Sequence, residues 1–268
     1  MSQSDVYLEV RNLEKIFSTR IGLTKNEDFI AVNGVSFEVA RGETWGLIGE
    51  SGSGKTTIGR MVLALEKPTS GYIGLDGVDL TMTSSSVVRT LRKQMQIVFQ
   101  DSGSAFNPRR PVGSQVAFGL EQHNIVPKSR VRFRVIELLE RVGLEESHYD
   151  RYIHEFSGGQ RQRLGISRAL ATEPDFVVLD EPTAALDVSV QAQILNLLKD
   201  LQAERGLTML LITHNLSLVE HMCDRAGVLD HGRLIEQGSV DELFTSPKNS
   251  ITRKLLDAVL EPELKKAS

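Results

Sequence analysis

Gly49-Glu50-Ser51-Gly52-Ser53-Gly54-Lys55-Thr56 follows the apolar run Thr44 to Ile48 and opens into an amphipathic stretch that begins at Thr57. The spacing is that of a complete phosphate-binding loop, and a buried strand before it with a helix after it is the setting such a loop requires. Glycines let the backbone wrap phosphate groups and aim amides at them, while the N-terminus of the following helix adds a favourable dipole. Lys55 brings a full positive charge to the terminal phosphates, and the Thr56 hydroxyl can ligate Mg²⁺. Residues Gly49, Glu50, Ser51, Gly52, Ser53, Gly54, Lys55, Thr56 and Thr57 are therefore the expected contacts of a nucleotide.

Working outward, Phe176 to Leu179 and Thr208 to Ile212 are short continuous apolar runs like Thr44 to Ile48, the mark of strands buried on both faces in a parallel sheet. Tyr7 to Phe17 and Phe29 to Ala40 read instead as half-buried antiparallel strands, with Val35, Phe37 and Val39 alternating against Ser36, Glu38 and Ala40. Ile194, Leu197, Leu198 and Leu201 make one helical stripe, and Val131, Val135, Leu138, Leu139 and Val142 another. The fold class is α/β: a P-loop ATPase core with a mostly parallel sheet over residues 1–102 and 173–240, an N-terminal antiparallel β-subdomain, a helical subdomain inserted at 103–172, and an extension over 241–268. In the extension, Ile251, Leu255, Leu256 and Val259 suit a packed helix ahead of a charged tail.

Composition narrows the function. A chain of 268 residues with 40% hydrophobic and 25% charged content is long enough for a sizeable core, and a net charge of -4 gives no basic face for nucleic acid. The one cysteine, Cys223, excludes an internal disulfide and a multi-cysteine metal site, and reads as a small buried residue. Met1 to Asp5 lacks the basic start and apolar run of a signal peptide, and no apolar stretch is long enough to span a bilayer. Attachment to a membrane would have to come through a partner.

Two further segments carry chemistry. Phe176-Val177-Val178-Leu179-Asp180-Glu181 puts two carboxylates at the carboxyl end of a strand, where open parallel sheets place ligands. Asp180 suits Mg²⁺, and Glu181 suits a base that polarises the attacking water. In Phe156-Ser157-Gly158-Gly159-Gln160-Arg161-Gln162, Ser157 and Gln160 form a capping box. The two glycines of that first turn weaken the helix by about 1 kcal/mol each, which suggests that something approaches the bare backbone; a phosphate fits.

Ser157-Gly158-Gly159-Gln160 resembles the signature of ABC ATPases, with Phe156 where leucine is usual. Gln100, in Ile97-Val98-Phe99-Gln100, resembles that family's Q-loop glutamine, which also reaches Mg²⁺. Ala185-Leu186-Asp187 resembles its D-loop, and His214 its switch histidine. The segment Phe99 to Arg109, with Ser246-Pro247 and Thr252-Arg253-Lys254-Leu255-Leu256, is similar to the peptide and nickel uptake subfamily. His214-Asn215 departs from the commoner histidine-aspartate pair.

The resemblance implies ATP and Mg²⁺ as ligands and hydrolysis by Glu181, Gln100 and His214. It implies a head-to-tail pair, with a sister or identical ATPase, in which Ser157, Gly158 and Gly159 serve the neighbour's nucleotide, and it adds Gln160 and Asp187 to the nucleotide-binding residues. Phe17 is the best match for the aromatic ring that stacks on adenine, with Tyr7 and Phe29 as alternatives. It further implies separate permease subunits docked near Gln100 and the helical subdomain, an extracytoplasmic solute-binding protein acting indirectly, and a peripheral place on the cytoplasmic face of the plasma (inner) membrane. The transported solute could be a peptide, a nickel chelate or another small molecule. An ABC-type ATPase acting on DNA or the ribosome, a regulatory nucleotide binder and a small-molecule kinase are the rival readings. The first lacks its insertions and basic face here, and the last has no need of Ser157 to Gln160.

Overall fold

A computed structural model describes residues 6–21, 25–184 and 186–265. The chain divides into two compact units, one formed by residues 1–84 with 208–268 and the other by 85–207.

The first unit opens with two long strands, β1 (Val6–Ile21) and β2 (Lys25–Ala40), paired antiparallel. Both run further than their alternating patterns suggest, because the polar pairs Ser18↔Asp28 and Thr19↔Glu27 continue the ladder beyond Phe17↔Phe29. The ladder slips by one residue between Lys15↔Val32 and Ile16↔Ile30, which leaves Ala31 as a bulge on β2. Next come β3 (Thr44–Ile48), α1 (Lys55–Val62), β4 (Ser70–Leu75) and β5 (Val78–Asp79), the last two extending the antiparallel sheet in the order β2-β1-β4-β5. Tyr7 is buried among the core residues of this sheet. It therefore cannot offer a ring face to a base, and that alternative to Phe17 is ruled out.

The second unit contains α2 (Ser85–Leu91), β6 (Met95–Val98), α3 (Val112–Gln122), α4 (Val131–Arg141), α5 (Gly158–Leu170), β7 (Phe176–Asp180) and α6 (Val188–Arg205). Strands β6 and β7 pair in parallel. Helix α4 buries Val131, Val135, Leu138 and Leu139, as its stripe predicts. In α6 the buried face is Ile194, Leu195, Leu198 and Leu201, while Leu197 is only half-buried. The buried stripe is thus turned toward Leu195, which takes the place of Leu197 beside the shared Ile194, Leu198 and Leu201.

The chain returns to the first unit with β8 (Thr208–Thr213), α7 (Leu216–Met222), β9 (Arg225–Asp230), β10 (Arg233–Ser239), α8 (Val240–Thr245) and α9 (Ser250–Lys265). Strand β3 lies between β8 and β9, parallel to both, and β10 closes the edge antiparallel to β9. His231 and Gly232, with φ of 42° and 78°, make the two-residue turn from β9 to β10, the left-handed pair that suits the twist of a hairpin. Trp45 on β3 is fully buried and stacks on Phe37, with ring centroids 4.3 Å apart.

The extension packs on this unit. Leu255 and Leu256 of α9 rest against the cluster of Ile48, Leu216, Val219, Ala226, Val228 and Leu243. The loop before α9 is tied at both ends: Glu236 accepts from the amides of Lys248 and Asn249 at 2.7 and 3.0 Å, and Arg253 donates to the carbonyls of Pro247 and Lys248. Burial works against the charge of Glu236, but the neighbouring Thr252 hydroxyl and those two amides outweigh it, holding the carboxyl below its ordinary range. Cys223, expected to be buried, is half-buried and packs against the same cluster; burial of its thiol, followed by the charges of Asp224 and Glu43, pushes it upward. No helix among the described residues is long and apolar enough to cross a membrane.

Candidate functional site

The loop between β3 and α1 is built against two other pieces of backbone. Ile48 pairs with Val228, so the next residue, Gly49, passes beside Leu229; a Cβ on Gly49 would stand 2.2 Å from the Leu229 carbonyl oxygen. Gly54 has φ of 106°, and a Cβ there would meet the carbonyl oxygen of the bulged Ala31 at 2.3 Å. Both positions demand glycine, the first for space and the second for space and backbone conformation. Gly52, with φ of 81°, needs it for conformation alone. The turn of β9 and β10 completes the support: the Gly232 amide donates to Ser53 O at 2.9 Å, and the Asn33 amide donates to Gly232 O at 2.8 Å.

Inside this mould the Lys55 side chain is buried, and its ammonium donates to the carbonyls of Gly49 and Glu50, each at 2.7 Å. Thr56 stands exposed in the first turn of α1 and Thr57 half-buried after it, while Glu50 and Ser51 face solvent. Because Ile48 pairs with Thr213 in the parallel register of β3 and β8, Gly49 and His214 leave neighbouring strands at the same end. His214 is exposed there. Asn215 caps α7 by accepting from the Leu218 amide at 3.4 Å, a task asparagine performs as well as aspartate. The departure at this position therefore keeps the turn that presents His214.

Phe17 lies on β1, opposite Phe29 on β2, and both rings are exposed.

In the second unit the register of β6 and β7 pairs Val98 with Leu179, so the chains leave these parallel strands together at Phe99-Gln100 and Asp180-Glu181. Asp180 is buried, Gln100 is exposed, and Glu181 is half-buried with φ of 49°. A left-handed backbone at a non-glycine residue costs about 1 kcal/mol or more and often marks a functional position. Gln100, Gly158, Pro182 and Leu186 line one cleft of about 310 Å³. Asp187 caps α6 through the Val190 amide at 2.9 Å; Ala185, the first residue of the expected D-loop, lies outside the described residues.

Ser157 and Gln160 form the capping box at the start of α5, with the Gln160 amide donating to Ser157 Oγ at 3.3 Å and the Ser157 amide to Gln160 Oε1 at 3.0 Å. Phe156 is buried and packs against His148, with ring centroids 5.2 Å apart, so aromatic bulk anchors the segment where leucine is usual. Gly159 has an internal reason to be glycine that sequence reasoning missed: a Cβ would stand 2.6 Å from Cγ1 of Val190 on α6. The supports of the phosphate loop, Ala31, Leu229 and Gly232, were missed too. The available signal was Asp230-His231-Gly232-Arg233, a short turn between two apolar segments.

Among the described residues, no group of three or more His, Cys, Asp or Glu side chains could hold a metal ion by itself. Each unit offers its own hard oxygen donor, the exposed Thr56 hydroxyl in the first and the buried Asp180 carboxylate in the second. Hard oxygens of this kind are the chemistry that Mg²⁺ takes, an ion that keeps waters and uses phosphate oxygens for most of its ligands.

Residues 32–184 match the family model described as ABC transporter. The chain is 49% identical, over 96% of its length and 79% of the other's, to a Brucella ovis protein provisionally named a peptide import ATP-binding protein. It is 45% identical, over 96% of its length and 82% of the other's, to the oligopeptide transport ATP-binding protein OppF of Bacillus subtilis. Among solved structures, the ATP-binding cassette MJ0796, a dimer in a post-hydrolysis state bound to ADP and Pi, superposes with a TM-score of 0.79 at 28% identity, covering 87% of this chain and 98% of that one.

Proposed function

The chain belongs to the ABC transporter family, and from that membership we propose that it is the ATP-hydrolysing subunit of a peptide importer. It works with separate permease subunits that dock near Gln100 and the helical subdomain at 103–172. An extracytoplasmic binding protein delivers the solute to them, and the subunit sits peripherally on the cytoplasmic face of the plasma (inner) membrane. The names of the relatives favour peptides over nickel chelates among the solutes open to this subfamily.

One observation carries the reading: the Lys55 ammonium is held at the mouth of a loop whose glycines at 49 and 54 leave room for nothing but backbone. Lys55 moves from the loop carbonyls to the β- and γ-phosphates, the amides of Gly52 to Thr57 surround the same phosphates, and Phe17 stacks on adenine. Mg²⁺, when bound, neutralises charge on the β- and γ-phosphate oxygens. Thr56, Asp180 and Gln100 are the residues that would hold it. Glu181 accepts a proton from water as that water's oxygen bonds to the γ-phosphorus. The bond from phosphorus to the bridging oxygen breaks, and ADP leaves with the electron pair. His214 orients the γ-phosphate. Ser157, Gly158, Gly159, Gln160 and Asp187 complete the site of a second ATPase subunit, identical or sister.

Lys55→Ala tests the reading. Steady-state phosphate release should fall by about 100-fold or more, and equilibrium titration should show weakened ATP binding. Unchanged turnover in the purified variant would remove the loop from the site.

A further inference from the structure

Phe17 has a companion ring. In the register of β1 and β2, Phe17 stands directly opposite Phe29 and Ile16 opposite Ile30, so the two phenyl groups rise from one face of the ladder and the two isoleucines from the other. Phe29 is 60% exposed, more than Phe17 at 38%. The bulged Ala31 presses its carbonyl toward Gly54 of the phosphate loop. Phe29 therefore begins two residues, roughly 7 Å of strand, from backbone that touches that loop.

Phe17 offers only part of its surface. The Lys15 ammonium lies over its ring, 4.8 Å from the centroid, and is fixed there by the Glu66 carboxylate at 2.5 Å and the Lys67 carbonyl at 2.7 Å. The cation occupies one face. A base is left with the opposite face and whatever apolar surface stands beside it, and the residue beside it on the ladder is Phe29.

We propose that Phe29 is a second base-binding residue, so that a purine lies against the cross-strand pair Phe17 and Phe29 rather than against a single ring. The pair supplies the preference for a nucleotide over bare polyphosphate. The inference rests on the reading of Gly49 to Thr57 as the phosphate site of ATP.

The test measures ATP and tripolyphosphate binding to the full chain and to Phe17→Ala, Phe29→Ala and Phe29→Trp. Phe29→Ala should weaken ATP binding by roughly 5- to 150-fold, the range expected for loss of a stacking ring, with tripolyphosphate binding changed by less than about twofold. Phe29→Trp should keep the affinity, and ATP but not tripolyphosphate should quench the introduced indole. That signal is separable because the single native tryptophan, Trp45, is fully buried. Loss of ATP affinity in Phe17→Ala with none in Phe29→Ala would overturn the pair and leave the phosphate site standing. An indole that responds to neither ligand, while affinity is kept, would also overturn it. If the unmodified chain bound neither ligand, the phosphate-site reading itself would fall and the pair with it.

Discussion

A methyl group on Gly159 would collide with Val190, 2.6 Å away, and this contact complicates any reading of the residue as a bare surface for a neighbour's phosphate. The two roles are separable because Val190 is replaceable. Gly159→Ala alone should lower thermal stability, since Val190 must shift or α6 must move. Adding Val190→Ala gives the methyl room, and the double variant should regain the unmodified melting temperature to within a few degrees. If phosphate also approaches this backbone, its turnover should stay depressed by about tenfold or more, a loss of roughly 1.4 kcal/mol in transition-state stabilisation. Full recovery of both would make Gly159 a packing glycine only. At this scale the legible residues were those that carry their own chemistry, such as Lys55, Asp180 and Glu181. Val190, Ala31 and Gly232 were not, because their part is played by a methyl or a peptide group whose neighbour lies far along the chain.

Helix α7 shows how an element can absorb a departure from pattern. Asn215 accepts from the Leu218 amide, and the Asn215 amide in turn donates to Thr213 Oγ1 at 3.0 Å, so the turn carrying His214 is bonded on both sides. Asn215→Ala should cost about 1 kcal/mol, a fall of roughly 2–4 °C in melting temperature for a chain of this size. Asn215→Asp should be neutral or slightly stabilising, because a carboxylate keeps the cap and meets the positive end of the helix. Equal destabilisation by both would show that the side-chain amide, and not the cap, is what the turn needs. Strands β3, β7 and β8 were legible from unbroken apolar runs, and α4 from its period. Strands β4, β5, β9 and β10 went unread: β10, Arg233-Leu234-Ile235-Glu236-Gln237-Gly238-Ser239, has no clean alternation and owes its extended form to pairing with β9. The extension's proline, arginine and leucines were legible only as a resemblance; their physical sense is the bonding of Arg253 to the loop carbonyls and the seating of Leu255 and Leu256 on the α7 cluster.

At the scale of the whole molecule, the residues proposed for one hydrolytic event are shared by two chains. Glu181→Gln keeps the size of the side chain and lacks its basicity. It should hold ATP and Mg²⁺ while phosphate release falls by about 100-fold or more. Light scattering after size exclusion should then find this variant at twice the chain mass with ATP and at the chain mass with ADP; near-normal phosphate release would sink Glu181 as the base. The α/β class and the order of the motifs were legible because each strand that carries a motif announces itself within a few residues. Pairing between copies leaves no such local trace. With Ser53 bonded to Gly232, Gly232 to Asn33, and Gly54 stopped against Ala31, the loop has its shape before an encounter, so the arrival of nucleotide is paced by diffusion and orientation of the two partners and not by a slow rearrangement of the chain.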